Sequence, residues 1–282
     1  MEKPSKIAQK GLLDSYTIKA IALIFMTIDH IGAYAFEVPV VAAHYSVFRL
    51  LGRIAAPLFL YMITESARYT HSRFKLILRL YLSSVSFDII TALMNSFFGD
   101  VLGVYTHGNI LYTYFFAVVY ITLIENLISA IKTTNWKASL IAFIVILSTF
   151  LLHPLWSLVH SMRISSVLIK ELLESFVHSP FLVEYSPLFV LLGILMYFAR
   201  NKWIQIGIFI AYCNICYSSE ISALFWSTPL SVFLGYPQYW MVLAAPIMAL
   251  YNGHRGKENK ALFYAYYPIH IYAIIIITKL IG

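Results

Sequence analysis

Apolar stretches of about twenty residues recur along the whole chain and are separated by short polar segments. Such stretches are too long for strands, and they match the helix length needed to cross a hydrocarbon layer about 30 Å thick. Composition agrees, because 60% of the 282 residues are hydrophobic and only 12% are charged, whereas a soluble domain carries about 25% charge. The sequence therefore predicts an all-α, polytopic integral membrane protein. It excludes a disordered chain, a nucleic-acid-binding domain and an ordinary cytosolic enzyme.

We expect a single membrane-embedded domain over residues 1–282, with about nine transmembrane helices in one bundle. The predicted spans are 16–36, 49–67, 77–97, 109–131, 138–158, 186–200, 203–218, 237–252 and 261–280. The first span is interpreted as a retained helix rather than a signal peptide, because it contains two ionisable residues and no small-residue cleavage site. The aromatic-rich segment 219–236 is interpreted as a re-entrant or interfacial piece.

The basic residues predict the orientation of the chain. With a cytoplasmic N-terminus, fifteen of the 20 Lys and Arg fall in cytoplasmic segments. This bias is the pattern of the positive-inside rule. The net charge of +7 is thereby explained by membrane topology rather than by a nucleic-acid partner.

The first predicted helix carries Asp29 and His30 well inside the span. Ionisable residues are costly in lipid and are functional candidates for that reason. The second helix runs in the opposite direction and brings Arg53 to a similar depth, so we expect Arg53 to pair with Asp29. Gly32 and Gly52 would let the two helices approach closely. One interpretation is a structural ion pair beside a hydrogen-bonded His30; the other is an imidazole that exchanges protons next to a carboxylate.

A basic cluster follows the second helix and comprises Arg68, His71, Arg73, Lys75 and Arg79. If the region is helical, Arg68, His71 and Lys75 share one face. Clustered cations at a membrane surface suit a polyphosphate ligand. The same pattern is typical of a topology signal or of contact with anionic lipid headgroups.

Further ionisable residues are predicted at membrane depth, namely Asp88 in the third helix, Glu125 in the fourth and His270 in the last. His270 follows Tyr267 and Pro268, and a proline before a histidine opens the backbone hydrogen-bond ladder beside a cavity. Each of these residues is as consistent with a structural contact as with a functional site. No metal site is predicted, because nothing in the sequence completes a set of metal ligands.

These motifs resemble the TraX family of bacterial membrane proteins over nearly the whole chain. The matching blocks are residues 28–32, 49–59, 68–73, 109–113, 184–185, 250–256 and 263–270. The namesake of that family acetylates the N-terminus of a conjugative pilin. The resemblance therefore implies an acetyl-CoA-dependent acetyltransferase of the bacterial inner membrane, acting on an extracytoplasmic pilin or glycan.

A weaker similarity supports the same class of enzyme. Acyltransferase-3 membrane enzymes carry a basic residue eleven positions before a catalytic histidine in their first helix, and Lys19 and His30 have that spacing. Heparan-glucosaminide N-acetyltransferase is more distantly similar in general design.

The expected catalytic residues are His30 as general base, Asp29 as its orienting partner, and Arg53, which either fixes Asp29 or stabilises an oxyanion. A covalent acetyl-His30 intermediate is the alternative route. The residues expected to bind acetyl-CoA are Arg68, Arg73, Lys75, Arg79 and Lys19. Asp88, Tyr267 and His270 are expected to line the substrate cavity.

Two other functions are consistent with the sequence. A proton-coupled transporter would use Asp29, His30, Asp88 and His270 as a relay, although the chain has no inverted repeat of the kind found in many carriers. The other alternative is a scaffold for assembly of a pilus or of the envelope.

Overall fold

The computed structural model describes residues 11–102, 109–217, 237–257 and 260–281, and the regular structure of these residues is helical. The helices are α1 Ser15–Tyr34, α2 Pro39–Ala43, α3 Tyr45–Gly52, α4 Ala55–Tyr69, α5 Arg73–Leu102, α6 Ile110–Lys132, α7 Trp136–Thr149, α8 Leu152–Ser161, α9 Val167–Phe176, α10 Pro187–Phe198, α11 Lys202–Cys216, a 3₁₀ helix Pro237–Leu243, α12 Ala244–Ala249 and α13 Lys260–Ile281. The described ranges contain no β-strand, and a single isolated bridge joins Leu13 to Tyr251.

The all-α, multi-pass class is confirmed, but a count of nine spans is not. Within the described residues, six helical segments are long and apolar enough to cross a membrane. The predicted spans 186–200, 203–218 and 237–252 correspond to shorter apolar helices. The predicted re-entrant segment 219–236 lies outside the described residues.

The predicted span 49–67 is two helices, because the backbone breaks after Gly52. Pro57 has no N–H to donate to the carbonyl of Arg53, so a continuous helix would lack that bond. Pro57 instead occupies the first turn of α4, where a missing N–H costs little. Arg53 and the two residues after it are buried, as irregular backbone at membrane depth must be.

The predicted span 138–158 also divides, into α7 and α8, with the break at Phe150 and Leu151. Pro154 lies four residues after Phe150 and removes the corresponding hydrogen bond. Residues 159–185, which lie between the predicted spans 138–158 and 186–200, contain the helix α9.

The chain forms two compact units. Unit 1 comprises Met1–Glu65 and Phe198–Gly282, and unit 2 comprises Ser66–Tyr197. Unit 1 therefore contains α1 to α3, most of α4, and α11 to α13. Unit 2 contains α5 to α9 and nearly all of α10.

In unit 1, α1 packs against both α3 and α13. Two glycines allow the close contact with α3, since a Cβ at Gly32 would meet the Cβ of Phe48 at 2.7 Å and a Cβ at Gly52 would collide with the side chain of Asp29. On its other side, α1 is joined to α13 by a 2.7 Å hydrogen bond between Thr27 Oγ1 and the Tyr266 hydroxyl. These contacts determine which side chains of α3 and α13 lie beside the side chains of α1.

The N-terminal end of α1 is closed by an N-cap. The Asp14 carboxylate accepts 2.8 Å hydrogen bonds from the backbone N–H and the hydroxyl of Thr17. The bond from the Thr17 N–H holds the pKa of the Asp14 carboxyl below its ordinary value of 3.8. Asp14 thus stabilises the first turn of α1 in its charged form.

Replacing Gly52 by Ala is expected to destabilise the protein, because the added Cβ overlaps the Asp29 side chain. Overpacking of this kind costs about 1–3 kcal/mol. Gly207→Ala in α11 is the matched control, because nothing lies within 4 Å of the added Cβ and alanine is the better helix former. Thermal unfolding in detergent should give a lower Tm for Gly52→Ala and an equal or higher Tm for Gly207→Ala. Equal Tm values for the two variants would contradict the close α1–α3 contact.

Replacing Asp14 by Ala is expected to remove about 1 kcal/mol of stability at neutral pH, the usual value of an N-cap. Because the pKa of Asp14 is lowered by folding, its contribution is complete above the ordinary pKa and is lost as the pH falls through the lowered value. The Tm difference between wild type and Asp14→Ala should therefore shrink in strong acid. Asp14→Asn keeps an acceptor without titrating, so its Tm difference from Asp14→Ala should not change with pH.

Candidate functional site

Asp29 and His30 are consecutive on α1, and consecutive helical side chains point about 100° apart. Asp29 faces α3, where it meets two arginines, and His30 faces α13, where it meets a second histidine. The candidate site in unit 1 consists of these two clusters, and each of them includes one residue of α1.

The first cluster is an ion-pair network around Asp29. Asp29 Oδ1 lies 3.2 Å from Arg53 Nη2, and Asp29 Oδ2 lies 3.0 Å from Arg49 Nη1. Arg49 also donates to the backbone carbonyl of Asp29, and Arg53 Nε donates to the carbonyl of Arg49. The predicted pairing of Asp29 with Arg53 is confirmed, and Arg49 is an additional partner.

This charge cluster is largely shielded from solvent, since the side chains of Arg53 and Asp29 are 5% and 13% exposed. Buried charges require partners, and removing one of them is strongly destabilising. Two guanidinium groups against one carboxylate leave the cluster with one net positive charge. Such a cluster is chemically suited to stabilise an oxyanion that forms nearby.

The second cluster is a pair of imidazoles. His30 Nδ1 and His270 Nε2 are 2.6 Å apart, and the two rings stack with their centroids 4.8 Å apart. His270 Nδ1 in turn lies 2.7 Å from the backbone carbonyl of Tyr266. His270 is 5% exposed, so this hydrogen-bonded chain lies inside unit 1.

The carbonyl at the end of this chain fixes the direction of every hydrogen bond in it. A carbonyl only accepts, so His270 Nδ1 carries its proton and donates to Tyr266 O. In the neutral ring, His270 Nε2 is then an acceptor, and His30 Nδ1 donates to it. The remaining nitrogen of His30, Nε2, keeps a lone pair, as a base or a nucleophile requires.

Aromatic side chains surround the His30 ring. The rings of Tyr34 and Tyr267 lie 5.7 and 6.3 Å from it, centroid to centroid. The Thr27–Tyr266 hydrogen bond ties α1 to α13 about one turn before His30. His30 is therefore held by contacts on two helices.

The expectation that Asp29 orients His30 is wrong. Both carboxylate oxygens of Asp29 contact arginines, and the hydrogen bond of His30 is made to His270. The physical reason is helical geometry, because neighbours in sequence do not face each other. His270, predicted to line a cavity or to belong to a proton relay, makes that hydrogen bond instead, and Tyr267 lies beside it.

In unit 2, two of the predicted cofactor-binding cations contact Tyr197. Arg68 donates to the backbone carbonyls of Met196 and Tyr197, at 3.4 and 2.7 Å, near the C-terminal end of α10. Arg73 donates to the Tyr197 hydroxyl at 2.6 Å and pairs with Glu125 at 3.2 Å. The Tyr197 hydroxyl also donates to Glu125. These bonds give Arg68 and Arg73 clear structural roles.

The predicted common face of Arg68, His71 and Lys75 is wrong, because α4 ends at Tyr69 and α5 begins at Arg73. Lys75 is exposed, and Arg79 donates to its backbone carbonyl.

Lys19 and Asp88 each have contacts of their own. Lys19, in unit 1, lies with Nζ 5.8 Å from the ring centroid of Phe263. Asp88, in unit 2, accepts a 2.7 Å hydrogen bond from the Asn109 amide, which also donates to the Ser84 carbonyl. The structure thus unites His30 with His270 and Tyr267 in one unit, whereas Asp88 belongs to the other unit.

Arg49, Tyr266 and Tyr197 are among the members of these networks that were not predicted as site residues. Arg49 was detectable, because it lies four residues before Arg53 and therefore on the same helical face. Tyr266 takes part through its backbone carbonyl, which has no signature in the sequence. Tyr197 meets Arg73 from a position 124 residues away in the chain, and no local pattern indicates that contact.

Comparison with known protein families gives a match over most of the chain. The model of the family described as TraX protein matches residues 14–278. No curated protein and no solved structure matches the chain significantly. Because the matched region covers nearly all of the sequence and both clusters of unit 1, the chain belongs to the TraX family.

Proposed function

We propose that this protein is a membrane-embedded acetyltransferase that moves an acetyl group from acetyl-CoA to an amine or hydroxyl on the extracytoplasmic side. The expected membrane is the bacterial inner membrane, with the N-terminus in the cytoplasm. The acceptor class comprises a pilin N-terminus or an envelope glycan, as the resemblance to the pilin-acetylating namesake of the family implies.

The observation that carries this proposal is the chain of hydrogen bonds from His30 through His270 to the carbonyl of Tyr266. It leaves His30 Nε2 with a lone pair at a fixed orientation. A neutral, oriented imidazole at membrane depth is the group that general-base acyl transfer needs.

The proposed reaction begins when His30 Nε2 takes the proton of the acceptor amine or hydroxyl. The acceptor then attacks the thioester carbon of acetyl-CoA and forms a tetrahedral oxyanion. Collapse of this intermediate breaks the C–S bond and transfers the acetyl group. The proton on His30 passes to the departing thiolate, so the products are the acetylated acceptor and CoA.

The charge cluster supplies the electrostatic part of this proposal. Arg49 and Arg53 carry more positive charge than Asp29 neutralises, and the excess would stabilise the oxyanion. Asp29 is then a positioning residue that holds the two guanidinium groups.

A covalent route is the alternative mechanism within the same function. His30 Nε2 would attack the thioester itself, release CoA and form acetyl-His30, which then acetylates the acceptor. CoA released in a burst, without acceptor, and label retained on the protein would identify this route.

A proton-coupled transporter is the second candidate, and the short hydrogen bond between His30 and His270 favours it. Against it, the predicted relay lacks continuity at Asp29, whose carboxylate contacts arginines instead of His30. Proton flux into vesicles that does not depend on acetyl-CoA would favour the transporter.

His30→Ala is expected to lower the rate of acetyl transfer by about 10²–10⁴-fold, the usual contribution of a general base. The assay supplies radiolabelled acetyl-CoA to the protein in envelope membranes and measures both label transfer and CoA release. His44→Ala is the matched control, because His44 is exposed and contacts the carbonyl of Val40. Wild-type rates in a folded His30→Ala protein would refute the proposed chemistry.

His270→Ala is expected to lower kcat by about 10- to 100-fold, the range found for partners that orient metal-binding histidines. The KM for acetyl-CoA should not change, because His270 acts through His30. His270→Gln places an amide oxygen near the lost Nε2 acceptor and should recover part of the rate. If Gln and Ala give equal rates while both proteins are folded, His270 does not position His30.

A further inference from the structure

The two arginines that share Asp29 use their donors differently. Arg53 donates through Nη2 to Asp29 Oδ1 and through Nε to the carbonyl of Arg49. Arg49 uses a single nitrogen, Nη1, for two acceptors of Asp29, namely the backbone carbonyl at 3.2 Å and Oδ2 at 3.0 Å. Within the described ranges, the Arg49 guanidinium makes its hydrogen bonds to Asp29 alone. The Nε and Nη2 donors of Arg49 are therefore available to a ligand.

The available donors of Arg49 lie on the accessible part of the charge cluster. The side chain of Arg49 is 23% exposed, against 5% for Arg53 and 13% for Asp29. Neither Nε nor Nη2 of Arg49 is an enclosed atom. These two nitrogens lie on one edge of the planar guanidinium and direct their N–H bonds in parallel, which is the geometry that binds oxyanions with two donors. A small anionic group can thus reach Arg49 without displacing Asp29.

The stem of the Arg49 side chain lies against α1. A Cβ built on Gly32 would lie 3.4 Å from Arg49 Cδ and 3.7 Å from Arg49 Cγ, so the missing side chain of Gly32 leaves room for that stem. Together with the bonds from Nη1 to Asp29, this contact holds the guanidinium in one orientation. Donors that are oriented before the reaction stabilise a developing negative charge without a cost of reorganisation.

Arg49 is also the arginine that lies nearer to His30. Both guanidinium groups act electrostatically on the His30 imidazole, and the effect of Arg49 is the larger of the two. Burial strengthens a Coulomb interaction, and Arg53 is the more buried arginine. The larger effect of Arg49 therefore indicates a shorter distance to His30. The accessible donors thus belong to the arginine that is closer to the proposed base.

We propose that Arg49 is a catalytic residue that donates from Nε and Nη2 to the oxyanion of the tetrahedral intermediate, while Arg53 holds Asp29 in place. This inference rests on the proposed acetyltransferase function. In that reaction the thioester carbonyl oxygen becomes the oxyanion when the acceptor attacks, and it loses its negative charge when the C–S bond breaks. Arg49 donates hydrogen bonds to this oxygen and gives up no proton.

Arg49→Gln and Arg53→Gln form a matched pair for testing this contact. Each variant removes one positive charge and one partner of Asp29, so each leaves the cluster without net charge. If the excess charge acts only at a distance, the two variants should lose similar factors in kcat. A direct contact of Arg49 with the oxyanion makes their losses different. The assay supplies radiolabelled acetyl-CoA over a range of concentrations to the protein in envelope membranes, and it measures label transfer and CoA release.

Arg49→Gln is expected to lower kcat by about 10²–10³-fold, the usual cost of removing an oxyanion donor, with an unchanged KM for acetyl-CoA. Arg53→Gln should lower kcat by a smaller factor and should have the lower Tm of the two variants, because it removes the more buried partner of Asp29. Arg49→Lys keeps the charge without the paired donors and should recover only part of the rate.

Arg163→Gln is the control for the loss of a cation elsewhere in the chain. Arg163 is exposed and lies between α8 and α9. This variant should keep the wild-type kcat and Tm.

Three results would overturn the role of Arg49 and leave the acetyltransferase function intact. One is an equal or larger loss of kcat in Arg53→Gln when both proteins are folded. Another is a raised KM with wild-type kcat in Arg49→Gln, because the contact would then exist before the transition state. The third is a wild-type kcat in Arg49→Gln with weaker binding of phosphatidylglycerol, which would assign Arg49 to a lipid headgroup phosphate.

Failure of the proposed function gives a different result. If the wild-type protein transfers no label and releases no CoA, the acetyltransferase function is refuted, and the role of Arg49 is refuted with it.

Discussion

The cost of a charge inside a membrane governs the arrangement of unit 1. Asp29 is stable at membrane depth because two arginines neutralise its carboxylate. Those arginines reach it because α3 ends at Gly52, whose missing side chain leaves room for Asp29. Pro57 enforces the break that separates α3 from α4. Helix packing, the backbone break and charge pairing therefore depend on one another.

A second face of α1, about 100° from the face that carries Asp29, has different contacts. His30 contacts α13, where His270 and the carbonyl of Tyr266 set the position of its proton. One helix therefore holds Asp29 against two arginines on one face and His30 against His270 on another. This separation explains why adjacent ionisable residues have unrelated partners, and why Asp29 acts in the proposed reaction only through the arginines.

Much of this arrangement was predictable from the sequence. The long apolar stretches indicated a helical membrane protein, and matching depths on antiparallel helices indicated the pairing of Asp29 with Arg53. The backbone breaks were harder to predict, because a hydropathy profile does not show that Pro57 and Pro154 interrupt a helix. The His30–His270 contact joins residues 240 positions apart, and periodicity within one helix carries no information about such a partner. The contacts of Arg68 and Arg73 were missed for the same reason, since Tyr197 and Glu125 come from distant helices.

The sequence separation of the two histidines has a consequence for biosynthesis. The segment 66–197 is made between the two parts of unit 1, so α1 enters the membrane long before α13 leaves the ribosome. Until α13 inserts, His30 lacks the acceptor for its Nδ1 proton, and its tautomer is not fixed. In the proposed reaction, the nitrogen of His30 that acts as the base is therefore oriented only after α13 has inserted.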